Sequence, residues 1–239
     1  MIPLRDNIPT RRYPFVNKLL VGVNLIVFFY ELTLGRQSSL FLYQWGLIPA
    51  RLWGLADGNW AQISAAGVAL PPAWLTIFTS MFIHAGWLHV GANMLYLWIF
   101  GDNVEDRLGH GRYLLFYLLA GTAAALLQSL VAAGATVPTV GASGAVAGVL
   151  GAYWLLYPWA RVSTLVPIFF FITVVQIPAG IFLLFWFVIQ IWNGALAVTA
   201  APTLVGGVAW FAHIGGFLTG LLLIKWWRVE RRPPLPYGW

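Results

Sequence analysis

Two long stretches without a charged residue constrain this chain more than any other feature of its sequence. One contains the 48 residues between Arg112 and Arg161, and the other contains the 63 residues between Arg161 and Lys225. A transmembrane helix needs about 20 apolar residues, so each stretch is longer than one bilayer crossing requires. The sequence therefore predicts a helical membrane protein that crosses the bilayer several times.

The composition excludes several other classes of protein. Of the 239 residues, 60% are hydrophobic and 8% are charged, whereas about a quarter of the residues in a soluble domain are charged. This excludes an ordinary soluble domain, a disordered chain and, despite the net charge of +6, a nucleic-acid-binding module. Because cysteine is absent, disulfides, thiolate metal sites and a cysteine nucleophile are also excluded.

Six membrane spans fit the apolar segments and the breaks between them, so we expect an all-α bundle in one membrane domain over residues 1–239. Leu165–Val175 is apolar but too short to span, because it lies between Pro167 and Pro178. It is predicted to be a re-entrant or interfacial piece. The expected spans cover about 16–34, 81–100, 113–133, 140–157, 178–199 and 205–226.

The basic residues predict the orientation of these spans. Of the 13 Lys and Arg residues, 11 fall on one side, and only Arg36 and Arg51 fall on the other. The positive-inside bias then places both termini in the cytoplasm. The long outer loop over 35–73 is rich in tryptophan, including Trp45, Trp53 and Trp60. It either lies in the headgroup region or is an aromatic-rich connector.

Polar side chains inside a span are expensive, so each is a candidate for function. His84, His89 and Asn93 stand at the start of the second span, and the last two share a helix face because they are four residues apart. Ser143 begins the fourth span and His213 begins the sixth. Because the second, fourth and sixth spans all run inward, the polar residues at their starts are predicted to lie at one depth.

Small residues predict that the fourth and sixth helices approach each other closely. Ser143 could then act as a nucleophile, with His213 as its general base. The side chains of His89 and Asn93, together with the Ser143 backbone N–H at a helix start, could stabilise an oxyanion. The small residues recur at spacings of three and four, at Gly141, Gly144, Gly148 and Gly151 on one helix and at Gly216 and Gly220 on the other.

No acidic residue has a sequence position that places it beside His213. Asp102, Glu105 and Asp106 lie toward the cytoplasmic end, and Glu31 ends the first span with no reason to approach the histidine. A Ser-His dyad is therefore predicted rather than a triad.

These motifs resemble those of the rhomboid family of intramembrane serine proteases, over about residues 74–225. Gly141–Gly144 is similar to the G-x-S-G nucleophile motif, and Ala212–Gly216 is similar to the A-H-x-x-G segment that carries the base. The spacing of His84, His89 and Asn93 matches H-x(4)-H-x(3)-N. The family's G-x(3)-E-x(3)-G turn is matched by Gly101, Glu105 and Gly109.

The resemblance implies a six-helix bundle with Ser143 in a water-filled cavity that opens outward. It implies cleavage of single-span or polytopic membrane proteins within the bilayer, next to small or helix-breaking residues, without a metal or organic cofactor. Compact loops favour a bacterial or archaeal cytoplasmic membrane. Beyond Ser143, His213, His89 and Asn93, supporting roles are expected for His84, Gly141, Gly144, Glu105, Gly216 and Gly220.

The sequence departs from the family pattern at two positions. Leu75 follows Trp74 where the family often has arginine, and Ala147 stands where some members have a tyrosine that stacks on the base. Another group must then orient His213. Two alternatives stay open, a catalytically inactive rhomboid-like adaptor and a small transporter. Such adaptors typically lack the Ser or the His, and a transporter would be expected to carry acidic residues at mid-membrane.

Overall fold

The computed structural model describes residues 1–55, 69–168, 171–199 and 207–229. Part of the outer loop with Trp60, the break before the sixth span and the basic residues Arg231 and Arg232 lie outside these ranges. The helices are α1 (Phe15–Thr33), α2 (Ser38–Trp45), α3 (Pro49–Leu52), α4 (Thr76–Thr79), α5 (Trp87–Leu108), α6 (His110–Val131), α7 (Ser143–Leu156), α8 (Ala179–Thr199) and α9 (Trp210–Trp226). The strands are β1 (Ile2–Arg5), β2 (Arg161–Ile168) and β3 (Phe171–Pro178).

Helices α1, α6 and α8 are long and apolar enough to cross a membrane. The helical segment Ala73–Phe82 and α5 form a bent pair with an angle of 79° between them, which is a broken span or a re-entrant loop. Helices α7 and α9 are apolar but shorter. The described part of the chain is thus largely helical, with three or four candidate spans by length and composition.

The second predicted span was misplaced, because its helix covers Trp87–Leu108 rather than residues 81–100. The acidic residues near its end were expected to lie beyond the span. Instead, Glu105 is buried, and its carboxylate accepts hydrogen bonds from the backbone N–H groups of Val16 at 2.9 Å and Asn17 at 2.7 Å. These amides begin α1 and lack partners within that helix. Because Glu105 binds them, α5 continues past its charged residues and is joined to α1.

Helix α7 lies at the centre of the bundle, where small residues bring it against α9. A Cβ atom added at Gly216 would overlap the carbonyl of Gly144, and one added at Gly220 would overlap the carbonyl of Gly148. The main chains of the two helices are therefore in direct contact. Helices whose axes lie the usual ~8–10 Å apart are separated by side chains and do not touch in this way.

The prediction of an all-α protein is wrong at one end of the bundle, where β1, β2 and β3 form an antiparallel sheet in that order. The described residues of the segment predicted to be re-entrant, 165–168 and 171–175, belong to β2 and β3 instead. Their backbone groups find partners across the β2–β3 pair and in β1, which lies far away in sequence.

The hydroxyl of Tyr153 on α7 donates a 2.5 Å hydrogen bond to Asp6, just after β1. Burial raises the pKa of Asp6 to about 6.

Replacement of Gly220 by alanine should separate α7 from α9, because the added methyl group meets backbone atoms that cannot move independently. We expect Gly220→Ala to lower the free energy of unfolding by about 1–3 kcal/mol, the usual range for overpacking. Gly91→Ala is the matched control, since a Cβ added at this helical glycine meets no atom within 4 Å. It should instead raise stability slightly. Equal thermal unfolding midpoints for the two variants in one detergent would contradict the packing.

Candidate active site

Ser143 is the first residue of α7, and a short loop holds it in place. Gly141 in this loop has a φ of +125°, which side chains rarely tolerate. Its N–H donates to the carbonyl of Ser80 at 2.8 Å, and the N–H of Ala142 donates to His84 Nε2 at 3.5 Å. The first backbone N–H groups of α7 point away from the helix, as at every helix start. The loop therefore presents the Ser143 hydroxyl next to free amide donors.

His89 and Asn93 lie beside this loop. A Cβ added at Gly141 would be 2.6 Å from His89 Nε2 and 3.7 Å from Asn93 Nδ2. Because Ala85 N–H donates to His89 Nδ1 at 3.4 Å, that nitrogen is an acceptor and the proton belongs on Nε2. Asn93 Nδ2 is buried without a hydrogen-bond partner among the described residues. The site thus holds two side-chain N–H donors near the loop of Ser143.

Glu31 and His84 support the site, because Glu31 binds His84 and His84 contacts His89. The Glu31 side chain is buried, and its carboxylate accepts a hydrogen bond from the backbone N–H of His84 at 3.2 Å. The ring of His84 packs edge-to-face on that of His89, with 5.1 Å between the ring centroids. Glu31 therefore binds the main chain before α5. The sequence shows a lone carboxylate at the end of the first span, which marks Glu31 as a residue that needs a partner. It does not show that this partner is the backbone of His84.

The base candidate, His213, lies one turn into α9, next to the start of α7. Ser143 and Ala212 line one narrow cavity. The N–H of Ala212 donates to Gln128 Oε1 on α6 at 3.2 Å, which fixes the beginning of α9. The hydrogen bonds within the described ranges do not include one between Ser143 and His213. Catalytic hydrogen bonds are often long before substrate binds.

Two residues of α8 that sequence reasoning missed hold the ring of His213. Gln190 Oε1 lies 2.8 Å from His213 Nδ1, and the Trp186 ring lies against the imidazole with 5.7 Å between centroids. Ala147 is fully buried, and its Cβ would be 3.3 Å from a Cβ on Gly216, so a large side chain would not fit there. The aromatic rings next to His213 therefore come from Trp186 on α8 and from Trp210 on α9, 6.2 Å between centroids, rather than from α7.

The described part of the outer loop packs on the bundle near the site. Leu47 is buried and pairs with Thr139 through two backbone hydrogen bonds, just before Gly141. The Trp53 indole donates to the carbonyl of Ser129 on α6 at 2.9 Å. This part of the loop therefore packs against the bundle near the site.

Comparison with known proteins identifies the family. A sequence model of the Rhomboid domain matches residues 71–229, which is more than half of the chain. The chain belongs to the rhomboid family. This agrees with the resemblance of its motifs and with its apolar helices, and it makes the protein a multi-pass membrane protein.

Its relatives include proteins from several compartments. The chain is 32% identical over 152 residues to Rhomboid protein 1, mitochondrial, from Saccharomyces cerevisiae, covering 62% of this chain and 40% of that protein. It is 31% identical over 172 residues to Rhomboid-like protein 11, chloroplastic, from Arabidopsis thaliana, covering 68% and 55%. It is 40% identical over 84 residues to Rhomboid protease GluP from Bacillus subtilis, covering 35% and 16%.

The matches cover only part of each relative, from about a sixth to just over a half of its length. Because the relatives include mitochondrial and chloroplastic proteins, membership of the family places this chain in a membrane without specifying which one. The predicted bacterial or archaeal cytoplasmic membrane therefore stays a prediction.

Proposed function

We propose that this protein is an intramembrane serine endopeptidase that uses Ser143 and His213 as a catalytic dyad. The observation that carries the proposal is the start of α7, where the loop before Ser143 lies beside His89 and the buried, unpartnered Nδ2 of Asn93. Two N–H side chains beside a nucleophile at a helix start suit the stabilisation of an oxyanion. The names of related proteins, such as a rhomboid protease and a rhomboid-type serine protease, also favour hydrolysis.

The reaction begins when the Ser143 hydroxyl attacks the carbonyl carbon of a peptide bond. His213 Nε2 takes the hydroxyl proton as the new C–O bond forms. The carbonyl oxygen becomes negatively charged and is stabilised by His89 Nε2–H, Asn93 Nδ2–H and the backbone N–H of Ser143. These donors act strongly because they are already in place before the charge develops.

The tetrahedral intermediate then collapses and the C–N bond breaks. His213 returns its proton to the leaving amine, which departs as one product, and the other half of the substrate stays on Ser143 as an ester. A water molecule attacks this ester and gives a proton to His213. The second intermediate releases a carboxylic acid, and Ser143 recovers its hydrogen.

The substrates we propose are single-span or polytopic membrane proteins in the lipid bilayer. A peptide carbonyl can reach Ser143 only where the substrate is not helical, since helical carbonyls are already bonded and shielded. Small or helix-breaking residues near the cleavage point would favour this local unwinding. No step requires a metal or an organic cofactor.

We also propose that the whole chain forms one domain of six spans with cytoplasmic termini, α7 and α9 being the fourth and sixth spans. The pairing of β1 with β2 supports this arrangement, because it brings the N-terminal segment next to the α7–α8 connection. Glu105 lies near the end of α5 and contacts the start of α1, so the α5–α6 connection lies at the same end of the bundle. We place this basic end in the cytoplasm by the positive-inside bias.

Reporter fusions test this orientation. A fusion after Trp239 and one in the outer loop near Asp57 should give opposite signals in assays that distinguish the two sides of the membrane. Matching signals from two stable fusions would contradict the arrangement of six spans.

Covalent labelling by a fluorophosphonate probe tests the dyad without requiring a known substrate. Ser143→Ala should abolish labelling because the nucleophile is gone, and His213→Ala should abolish it because no base accepts the proton. Ser129→Ala is the matched control, since the hydroxyl of this buried serine on α6 donates to the carbonyl of Leu126 in its own helix. It should label like the wild type.

Cleavage of co-expressed membrane proteins should be lost in the same two variants. Labelling that persists in folded Ser143→Ala would place the nucleophile elsewhere. A folded wild-type protein that neither labels nor cleaves would favour the adaptor or transporter alternatives.

The oxyanion donors can be tested separately from the dyad. His89→Ala and Asn93→Ala should each lower the cleavage rate by roughly 10²–10³, the usual effect of removing one oxyanion donor. Their thermal unfolding midpoints should stay near that of the wild type, as measured in the same detergent. Full activity in the double variant would contradict this assignment.

A further inference from the structure

The hydrogen bond between Gln190 and His213 carries an inference about the protonation of the base. Gln190 lies on α8, is only 5% exposed, and was not a candidate from the sequence. We propose that Gln190 is a positioning residue that holds His213 in the one neutral tautomer able to accept the proton of Ser143. This inference rests on the proposed function and specifies how its base is prepared.

The orientation of the Gln190 amide follows from its second hydrogen bond. The Gln190 Nε2 atom donates to the backbone carbonyl of Trp186 at 3.0 Å. A carbonyl oxygen can only accept, so the NH₂ group must face Trp186, and the amide oxygen must face His213. This assignment is therefore fixed by chemistry, although the oxygen and nitrogen of an amide have similar shapes.

The tautomer of His213 follows in turn. Gln190 Oε1 can only accept a hydrogen bond, so His213 Nδ1, 2.8 Å away, must carry the proton. In a neutral imidazole the other nitrogen, Nε2, then has a free lone pair. The opposite tautomer would leave two acceptors facing each other at Nδ1 and would put a proton where the base must receive one.

A neutral amide suits this position inside a membrane helix. A buried carboxylate would orient the ring equally well, but an ionised group in an apolar setting is costly. The Trp186 ring lies against the imidazole and limits its rotation. One short segment of α8 thus supplies both the hydrogen-bond acceptor and one of the two aromatic rings that contact His213.

The test uses the rate of fluorophosphonate labelling of the full-length wild type and variants as a function of pH. In this reaction Ser143 Oγ attacks phosphorus, the P–F bond breaks, fluoride leaves, and the serine proton passes to His213 and then to solvent. Gln190→Met keeps a similar volume but removes the acceptor. We expect it to label about 3–10 times more slowly, which corresponds to the loss of one ordinary hydrogen bond.

Gln190→Glu restores an acceptor at the same place. We expect its rate to return to within about threefold of the wild type at high pH, since the carboxyl group also accepts from Nδ1. The acid limb of its pH profile should move to higher pH, because a carboxylate stabilises the protonated imidazole. His89 is the titratable side chain in the described residues that interacts electrostatically with His213, and it is unchanged in both variants.

Asn193→Leu is the matched control. Asn193 lies on the same helix and donates the same kind of bond to a backbone carbonyl, that of Ile189 at 3.0 Å. Its loss should leave both the labelling rate and the pH profile unchanged, which separates the contact with His213 from any general effect on α8.

Three results would overturn the inference, provided that the wild type labels and Ser143→Ala does not. They are a wild-type rate in Gln190→Met, no recovery in Gln190→Glu relative to Gln190→Met, and an equal loss in Asn193→Leu. Absence of labelling in the folded wild type would instead contradict the proposed function itself, so the two failures are distinguishable. Thermal unfolding midpoints confirm that each variant is folded.

Discussion

The direct contact between the main chains of α7 and α9 is the constraint on which the rest of the structure depends. Lipid tails are as apolar as leucine, so helices in a membrane gain little from burying apolar side chains and must instead pack closely. Gly144 and Gly148 on one helix meet Gly216 and Gly220 on the other. The same contact brings the start of α7, with Ser143, next to the first turn of α9, with His213. The glycine contacts that pack α7 against α9 therefore also bring the two candidate catalytic residues near each other.

Several polar side chains inside the bundle bind backbone N–H groups at the ends of helices. Glu105 binds the free amides of α1, Glu31 binds the main chain before α5, and Gln128 binds the start of α9. These contacts fix the ends of helices, where unsatisfied N–H groups would otherwise be exposed to an apolar medium. Asn93 Nδ2 is one of several buried side-chain atoms that have no hydrogen-bond partner in the described residues, and it lies near the loop of Ser143. An unused donor beside a nucleophile is what an oxyanion site requires before substrate arrives.

The candidate base is oriented by neutral groups rather than by an acid. In a soluble serine hydrolase a buried carboxylate usually holds the histidine. Here the described carboxylates have other partners or lie elsewhere, and Gln190 and Trp186 of α8 meet the ring of His213. The same function, fixing a tautomer and a ring plane, is achieved without placing a further charge in the membrane.

The sequence by itself determined the membrane class, the apolar helices, the residues at the helix starts and the glycine faces, because charge-free length and the spacing of small residues are local properties. It did not predict the pairing of β1 with β2, since these strands are more than 150 residues apart and strand pairing over that distance leaves no local pattern. It ended the second span too early, because Glu105 is stabilised by amides of α1 that no local pattern identifies. Only the tertiary structure placed Gln190 on His213, since which face of α8 meets α9 depends on packing and not on spacing along one helix.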